Sequence, residues 1–200
     1  MSGDLRICFV GDSFVQGIGD PEYRGWVGRV LGKTGTDITA FNLGIRRNTS
    51  DDVRRRCWAE VEPRFLPEAD NRLVLSFGSN DAVEENGAVR VAHPRTLDNL
   101  SALLAEARHR AIRPLVVGPP PVVDAGAEHL RRTTELATAM SALTRSLDVG
   151  FIDITTLLAD DPVWAEEVRA GDGAHPGSGG YRRLADLILG GGWREWIARP

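Results

Sequence analysis

Ser13 stands where the apolar run Leu5 to Val10 gives way to Gly11-Asp12-Ser13-Phe14-Val15-Gln16-Gly17. A serine hydroxyl attacks an ester only when a base takes its proton, a third group orients that base, and donors meet the developing oxyanion. The base should be a histidine, and there are four. His109 and His129 fall on helical patterns rich in Arg and Glu and read as surface residues. His93 precedes Pro94 and reads as a loop residue. His175 lies in the glycine-rich stretch Gly171 to Tyr181, with Asp172 three residues earlier. In a tight turn that spacing brings a carboxylate to one imidazole nitrogen and leaves the other for Ser13. Gly44, in Asn42-Leu43-Gly44, has no side chain, so its N–H can approach a ligand closely. Asn80, in Gly78-Ser79-Asn80-Asp81, can present an amide, and the Ser13 N–H supplies a further donor. A plainer account also fits each part. Ser13 would be turn chemistry at a helix start, and Asp172 with His175 would shape the beginning of the last helix.

These residues need elements to bring them together. Short β-branched runs flanked by Gly or Pro, at Leu5 to Val10, Ile38 to Leu43, Arg72 to Phe77, Pro114 to Gly118 and Gly150 to Ile154, predict buried strands. Helical patterns over 25–33, 49–61, 95–111 and 127–147 lie between them, with a last helix from Ser178 and a short one within 157–169. This alternation predicts one domain over residues 1–200: a three-layer α/β/α, flavodoxin-like fold with a five-stranded parallel sheet. Ligand chemistry collects at the carboxyl ends of such strands. In strand order 2-1-3-4-5, Ser13 lies between Gly44 and Asn80. The chain between Asp153 and Asp172 is long enough to return His175 across that edge.

Four motifs in order, GDSFVQG, NLG, GSND and DGAHP, with Gly180-Tyr181 behind the last, resemble the SGNH hydrolases, the GDSL-type esterases and lipases, over nearly the whole chain. The resemblance implies Ser13 as nucleophile, His175 as general base and then acid, and Asp172 as its orienting carboxylate. It implies an oxyanion hole from the Ser13 and Gly44 N–H groups and the Asn80 side chain. Asp12 would brace the turn and Asp81 the Asn80 loop. The family often carries a second glycine near the position where this chain has Arg47. A serine esterase acting on a small acyl ester or thioester through an acyl-Ser13 intermediate is the expectation. An acyltransferase on the same scaffold and a catalytically silent ligand-binding domain are the alternatives.

Other features narrow the classes. A net charge of −4 argues against general nucleic-acid binding. No apolar run approaches the ~18 residues of a membrane helix. Neither a metal nor an organic cofactor is expected, since no His/Cys cluster has ligand spacing. There is no Gly-x-Ser-x-Gly elbow, and GDSFVQG lacks the phosphate-loop lysine. No signal-peptide pattern precedes Leu5, so the cytoplasm is the expected location; the oligomeric state is left open. Cys8 and Cys57 read as core. Lys33 is the single lysine, which reads as coding bias. Arg46 and Arg47 follow closely after Gly44 and either are solvated or pair with Asp51 and Asp52, or one of them holds an anionic part of a substrate. Trp164 either packs in the core or lines an acyl or leaving-group site. Arg54 to Arg56 read as a solvated helix face, Gly190 to Gly192 as a helix end, and Asp81 to Pro94 as a wall of the pocket.

Overall fold

The computed structural model describes residues 4–35 and 37–198. Five strands, β1 (Leu5–Gly11), β2 (Thr39–Gly44), β3 (Asp70–Ser76), β6 (Arg113–Val117) and β7 (Gly150–Ile152), form one parallel sheet in the order β2-β1-β3-β6-β7. Two further strands, β4 (Glu84–Glu85) and β5 (Ala88–Val89), make a small antiparallel hairpin inside the expected pocket wall. The helices are α1 (Ser13–Gln16), α2 (Gly25–Thr34), α3 (Ser50–Val61), α4 (His93–His109), α5 (Ala127–Ser146), α6 (Thr155–Ala159), α7 (Pro162–Ala170), α8 (Ser178–Ile188) and α9 (Arg194–Ala198).

β1 shows why three layers form. Its side chains alternate faces, as a strand's must. Ile7 and Phe9 join Trp26 of α2, Trp164 of α7 and Tyr181, Leu184 and Ile188 of α8 on one side. Cys8 and Val10 join Val53 and Cys57 of α3, Leu100 and Leu103 of α4 and Met140 of α5 on the other. Burying an aromatic such as Phe9, which meets Trp26 edge-on at 5.7 Å, contributes about 1.5–3 kcal/mol. Both cysteines are free and buried, and desolvation pushes each thiol up to about 12.

Several local expectations shift. His93 opens α4, with Pro94 in the first turn where its missing N–H costs nothing. The stretch 157–169 divides into α6 and α7 because Asp161 caps a new helix at Pro162. α8 runs on into a wide turn over Leu189–Trp193 that Gly192, at φ 115°, breaks before α9. Among Arg54 to Arg56, Arg56 leaves the solvated face: its guanidinium donates to the carbonyl of Gly11 at 2.8 Å and to Asn48 Oδ1 at 2.6 Å. Among the described residues, no helix is long and apolar enough to cross a membrane.

Candidate active site

β1 delivers Ser13 to the carboxyl edge of the sheet. Gly11 is required there, because a Cβ would lie 1.9 Å from the carbonyl oxygen of Ser76 on β3. Asp12 caps α1, its Oδ1 accepting from the Phe14 N–H at 2.9 Å. α1 ends after one turn at Gly17, whose left-handed φ of 87° glycine adopts freely. As first residue of α1, Ser13 has no intrahelical acceptor for its N–H. Burial pushes the Asp12 carboxyl up to about 7, against the lowering effect of the Phe14 N–H.

The segment 171–176 brings His175 to the same edge. Asp172 Oδ1 accepts from the backbone N–H groups of Ala174 (3.1 Å) and His175 (2.9 Å), which fixes a tight turn. That turn puts His175 Nδ1 2.8 Å from Asp172 Oδ2, and Nε2 2.7 Å from Ser13 Oγ. With Nδ1–H donating to the carboxylate, Nε2 is the acceptor that Ser13 O–H requires. The partial burial of Asp172 raises its pKa, but the His175 and Ala174 donors outweigh it and hold the group down at about 2. The histidine is 6% exposed, and the Phe14 ring lies 5.1 Å from it.

The surroundings of this turn are built for rigidity. Gly19, at a left-handed φ of 88°, lies against this turn, where a Cβ would stand 2.7 Å from the Pro176 carbonyl oxygen and 3.0 Å from His175 Cβ. Buried Asp20 accepts from Arg29, from the Gly25 N–H at 2.8 Å and from Ser178 Oγ at 2.9 Å, tying the loop after α1 to the start of α8. Burial alone would raise the Asp20 pKa, yet these donors hold it well below the ordinary carboxylate range. Glu167 of α7 accepts from the Gly179 and Gly180 N–H groups in the first turn of α8, where a negative charge is favoured.

Asn80 reaches the same edge from β3. Its amide donates to the Asn48 carbonyl at 3.1 Å and approaches Asp12 Oδ2 at 3.5 Å, the limit of hydrogen bonding. Asp81 is buried and accepts from the Ser50 N–H at 2.9 Å and Thr96 Oγ1 at 2.8 Å, which anchors the loop. Ser13, Phe14, Arg46, Arg47, Asn80 and His175 share a pocket of about 210 Å³.

Gly44, Arg46 and Arg47 take other parts than their sequence suggested, and Trp164 takes the core place that was one of its two readings. Gly44 does not face this pocket. Its N–H donates to Asn42 Oδ1 at 3.0 Å, and its Cα abuts α1, where a Cβ would meet the Gln16 nitrogen at 2.1 Å. Its lack of a side chain serves packing against the helix that begins at Ser13. Trp164 is fully buried, stacked on Phe14 at 6.0 Å, with Nε1 donating to the Pro121 carbonyl at 3.0 Å. It belongs to the core because α7 turns its apolar face to the sheet. Arg46 and Arg47 ignore Asp51 and Asp52 and pair with Asp172 (3.2 Å) and Glu85 (3.1 Å). Arg47 holds φ at 68°, the left-handed region, so it follows the path a glycine would take at the point where the sequence departs from the family pattern.

His129 is the residue that sequence reasoning missed. It is buried, lines the pocket, and its Nε2 lies 3.0 Å from the carbonyl of Ser79, next to Asn80. Desolvation lowers its pKa, which keeps it neutral. The signal was its helical phase: His129, Thr133, Leu136 and Met140 lie on the buried stripe of α5, while the neighbouring Arg and Glu do not. The Pro119–Pro121 carbonyls accept from Thr155, Ser79 and Trp164, so that loop is an anchor at the edge of the site.

The model of the GDSL-like lipase/acylhydrolase family matches residues 9–183. An uncharacterized lipoprotein of Bacillus subtilis, YqeF, is 27% identical over 110 residues, 54% of this chain and 44% of that protein. The chain thus spans less than half the length of this curated relative. Among solved structures, a lipase/acylhydrolase from Enterococcus faecalis aligns with a TM-score of 0.71 at 24% identity, over 92% of this chain and 93% of that one. The acetylxylan esterase Axe2 of Geobacillus stearothermophilus aligns with a TM-score of 0.75 at 18% identity over 100% of both chains. At these identities the structural matches speak to the fold.

Proposed function

The chain belongs to the GDSL-like lipase/acylhydrolase family, whose members are carboxylic ester hydrolases, and on that premise we propose that it is a serine esterase for short acyl esters, with Ser13, His175 and Asp172 as its triad. The observation that carries this is the unbroken chain Ser13 Oγ to His175 Nε2 at 2.7 Å and Nδ1 to Asp172 at 2.8 Å. Ser13 Oγ attacks the ester carbonyl as its proton passes to Nε2, and the imidazolium is stabilised by Asp172. The imidazolium then protonates the leaving alcohol. Water, deprotonated by the same nitrogen, releases the acid and restores Ser13.

The oxyanion meets the Ser13 N–H and the Asn80 amide. The third donor in this reading is the N–H of Arg47, not that of Gly44. Arg47 lines the pocket, and its N–H has no acceptor among the described residues. A pocket of about 210 Å³ lies below the ~300 Å³ where sites for drug-sized ligands begin, which favours a short acyl group.

The test is a panel of p-nitrophenyl esters from acetate to palmitate, with an acetylated xylo-oligosaccharide beside it. Short chains should dominate. Ser13→Ala should lose at least a thousandfold in kcat with its circular dichroism unchanged, on the scale of removing a triad member. Turnover by the purified variant within tenfold of the parent, or a preference for palmitate, would overturn the reading.

A further inference from the structure

Arg46 lies on the turn after β2, and its main chain is pinned by a hydrogen bond from its N–H to Gln16 Oε1 at 2.9 Å. Its guanidinium reaches across 126 positions of sequence to Asp172 Oδ2 at 3.2 Å. That oxygen is the one that receives His175 Nδ1. We propose that Arg46 is a positioning residue that holds the Asp172 carboxylate against His175 and sets the pH below which the histidine stops working as a base. This rests on the triad reading above.

Three observations converge on it. Asp172 sits on an exposed turn, with its side chain 41% accessible. Its inner oxygen is held by the Ala174 and His175 N–H groups, and Arg46 gives its outer oxygen a second partner beside His175 Nδ1. Next, Arg46 puts a positive charge beside the acid–base pair, where it disfavours a second positive charge on the imidazole. Finally, the other charged groups around His175 are otherwise engaged. Asp12 on α1 bonds the Phe14 N–H and Asp20 is locked to Arg29. Glu167 on α7 holds the start of α8. Across the pocket Arg47 and Arg90 face Glu85, and His129 holds Ser79. Asp124 lies near Gly173. Arg46 alone among the described cations is paired with Asp172.

The experiment compares the parent with Arg46→Met, which keeps the stem, and Arg46→Lys, which keeps the charge. Two readouts are taken against pH: kcat/KM for neutral p-nitrophenyl acetate, and the His175 ring signals by NMR in the ligand-free protein. Removing the charge stabilises the imidazolium while the Ala174 and His175 N–H groups still hold Asp172 Oδ1, so the acid limb and the NMR midpoint should both rise by about 0.5 pH unit in Arg46→Met, equivalent to about 0.7 kcal/mol. Arg46→Lys should recover most of the shift. Raising salt from about 0.01 M to about 1 M, which shortens the screening length from roughly 30 Å to 3 Å, should lift the parent's midpoint and leave that of Arg46→Met nearly still. An unchanged NMR midpoint in Arg46→Met overturns the proposal, as does an unmoved limb with a higher KM confined to anionic esters, which would make Arg46 a substrate contact. The NMR arm needs no turnover. A shifted midpoint in a protein whose Ser13→Ala variant still hydrolyses would therefore fail the triad reading alone.

Discussion

The two sides of Ser13 are built differently. On one side lies the seam between α1 and the His175 turn. Ser13, Phe14 and His175 are buried there, and glycines at 11, 19 and 44 let β1, the loop after α1 and β2 come close to neighbouring main chain. On the other lies the rim formed by the turn after β2 and the β4–β5 hairpin, where Arg46, Arg47 and Glu85 are joined by exposed ion pairs. The seam gets its geometry from close packing, which tolerates almost no added volume. The rim gets its shape from charge pairs that water and salt weaken, and such pairs contribute about 0–1 kcal/mol each. Position of the reacting atoms is thus assigned to the part of the molecule that cannot move cheaply. The substrate-facing border is assigned to the part that can change without unfolding anything.

Outside the proposed triad, the largest effect should come from Gly44→Ala, which breaks the seam without touching the pocket. The new Cβ would stand 2.1 Å from the Gln16 nitrogen and 2.7 Å from the Val15 carbonyl carbon. α1 must move, and Ser13 with it. A displacement near 1 Å costs about a hundredfold in rate, and overpacking costs about 1–3 kcal/mol. Thermal unfolding and p-nitrophenyl acetate turnover should fall together. A variant with the parent's kcat would show that the seam is looser than its contacts require.

Asp12→Asn probes the seam's buried charge with an intermediate effect. Its carboxyl titrates at about 7 when folded because burial raises it from 3.8. The folded state therefore binds the proton more tightly than the unfolded chain. This group's contribution to stability is complete below the unfolded value and is lost as pH rises through about 7. Asparagine keeps the cap on the Phe14 N–H and cannot ionise. The stability of the parent relative to Asp12→Asn should fall by about 1–3 kcal/mol between pH 5 and pH 8 in urea titrations. A constant difference would mean that Asp12 stays ionised throughout.

The rim should give the smallest effects. Glu85→Gln should change stability by less than about 1 kcal/mol. Arg47→Gly should keep kcat for a neutral ester within about threefold, because it preserves the N–H and relieves the strain of a left-handed φ. That strain is worth roughly 1 kcal/mol. A hundredfold loss in Arg47→Gly would give the Arg47 side chain a part in turnover beyond that of its N–H.

Much of the fold was legible along the chain. All five sheet strands follow from apolar runs between turn residues; their order came from the flavodoxin-like fold that the alternation of elements suggested, and the sheet has it. Asp172 and His175 were legible for a local reason: a carboxylate three residues before a histidine in a glycine-rich turn has a short list of partners. His129 was misjudged because the Arg and Glu beside it occupy the opposite face of the same helix. Gly44 stood out as a glycine for ligand approach, whereas in the fold its missing side chain makes room for α1, which approaches from a distant part of the chain, and its N–H bonds to Asn42.

By itself the sequence determined the alternation of strands and helices, the Gly11-Asp12-Ser13 turn and the Asp172–His175 turn, since each depends on spacings of two to four residues. Only the tertiary structure decided that His175 meets Ser13 across 162 positions, that Arg46 grips Asp172, that Trp164 faces inward, and that the Gly44 N–H is spent on Asn42. Those outcomes depend on which surfaces pack together and on the direction each side chain takes when they do, and neither quantity is periodic in the chain.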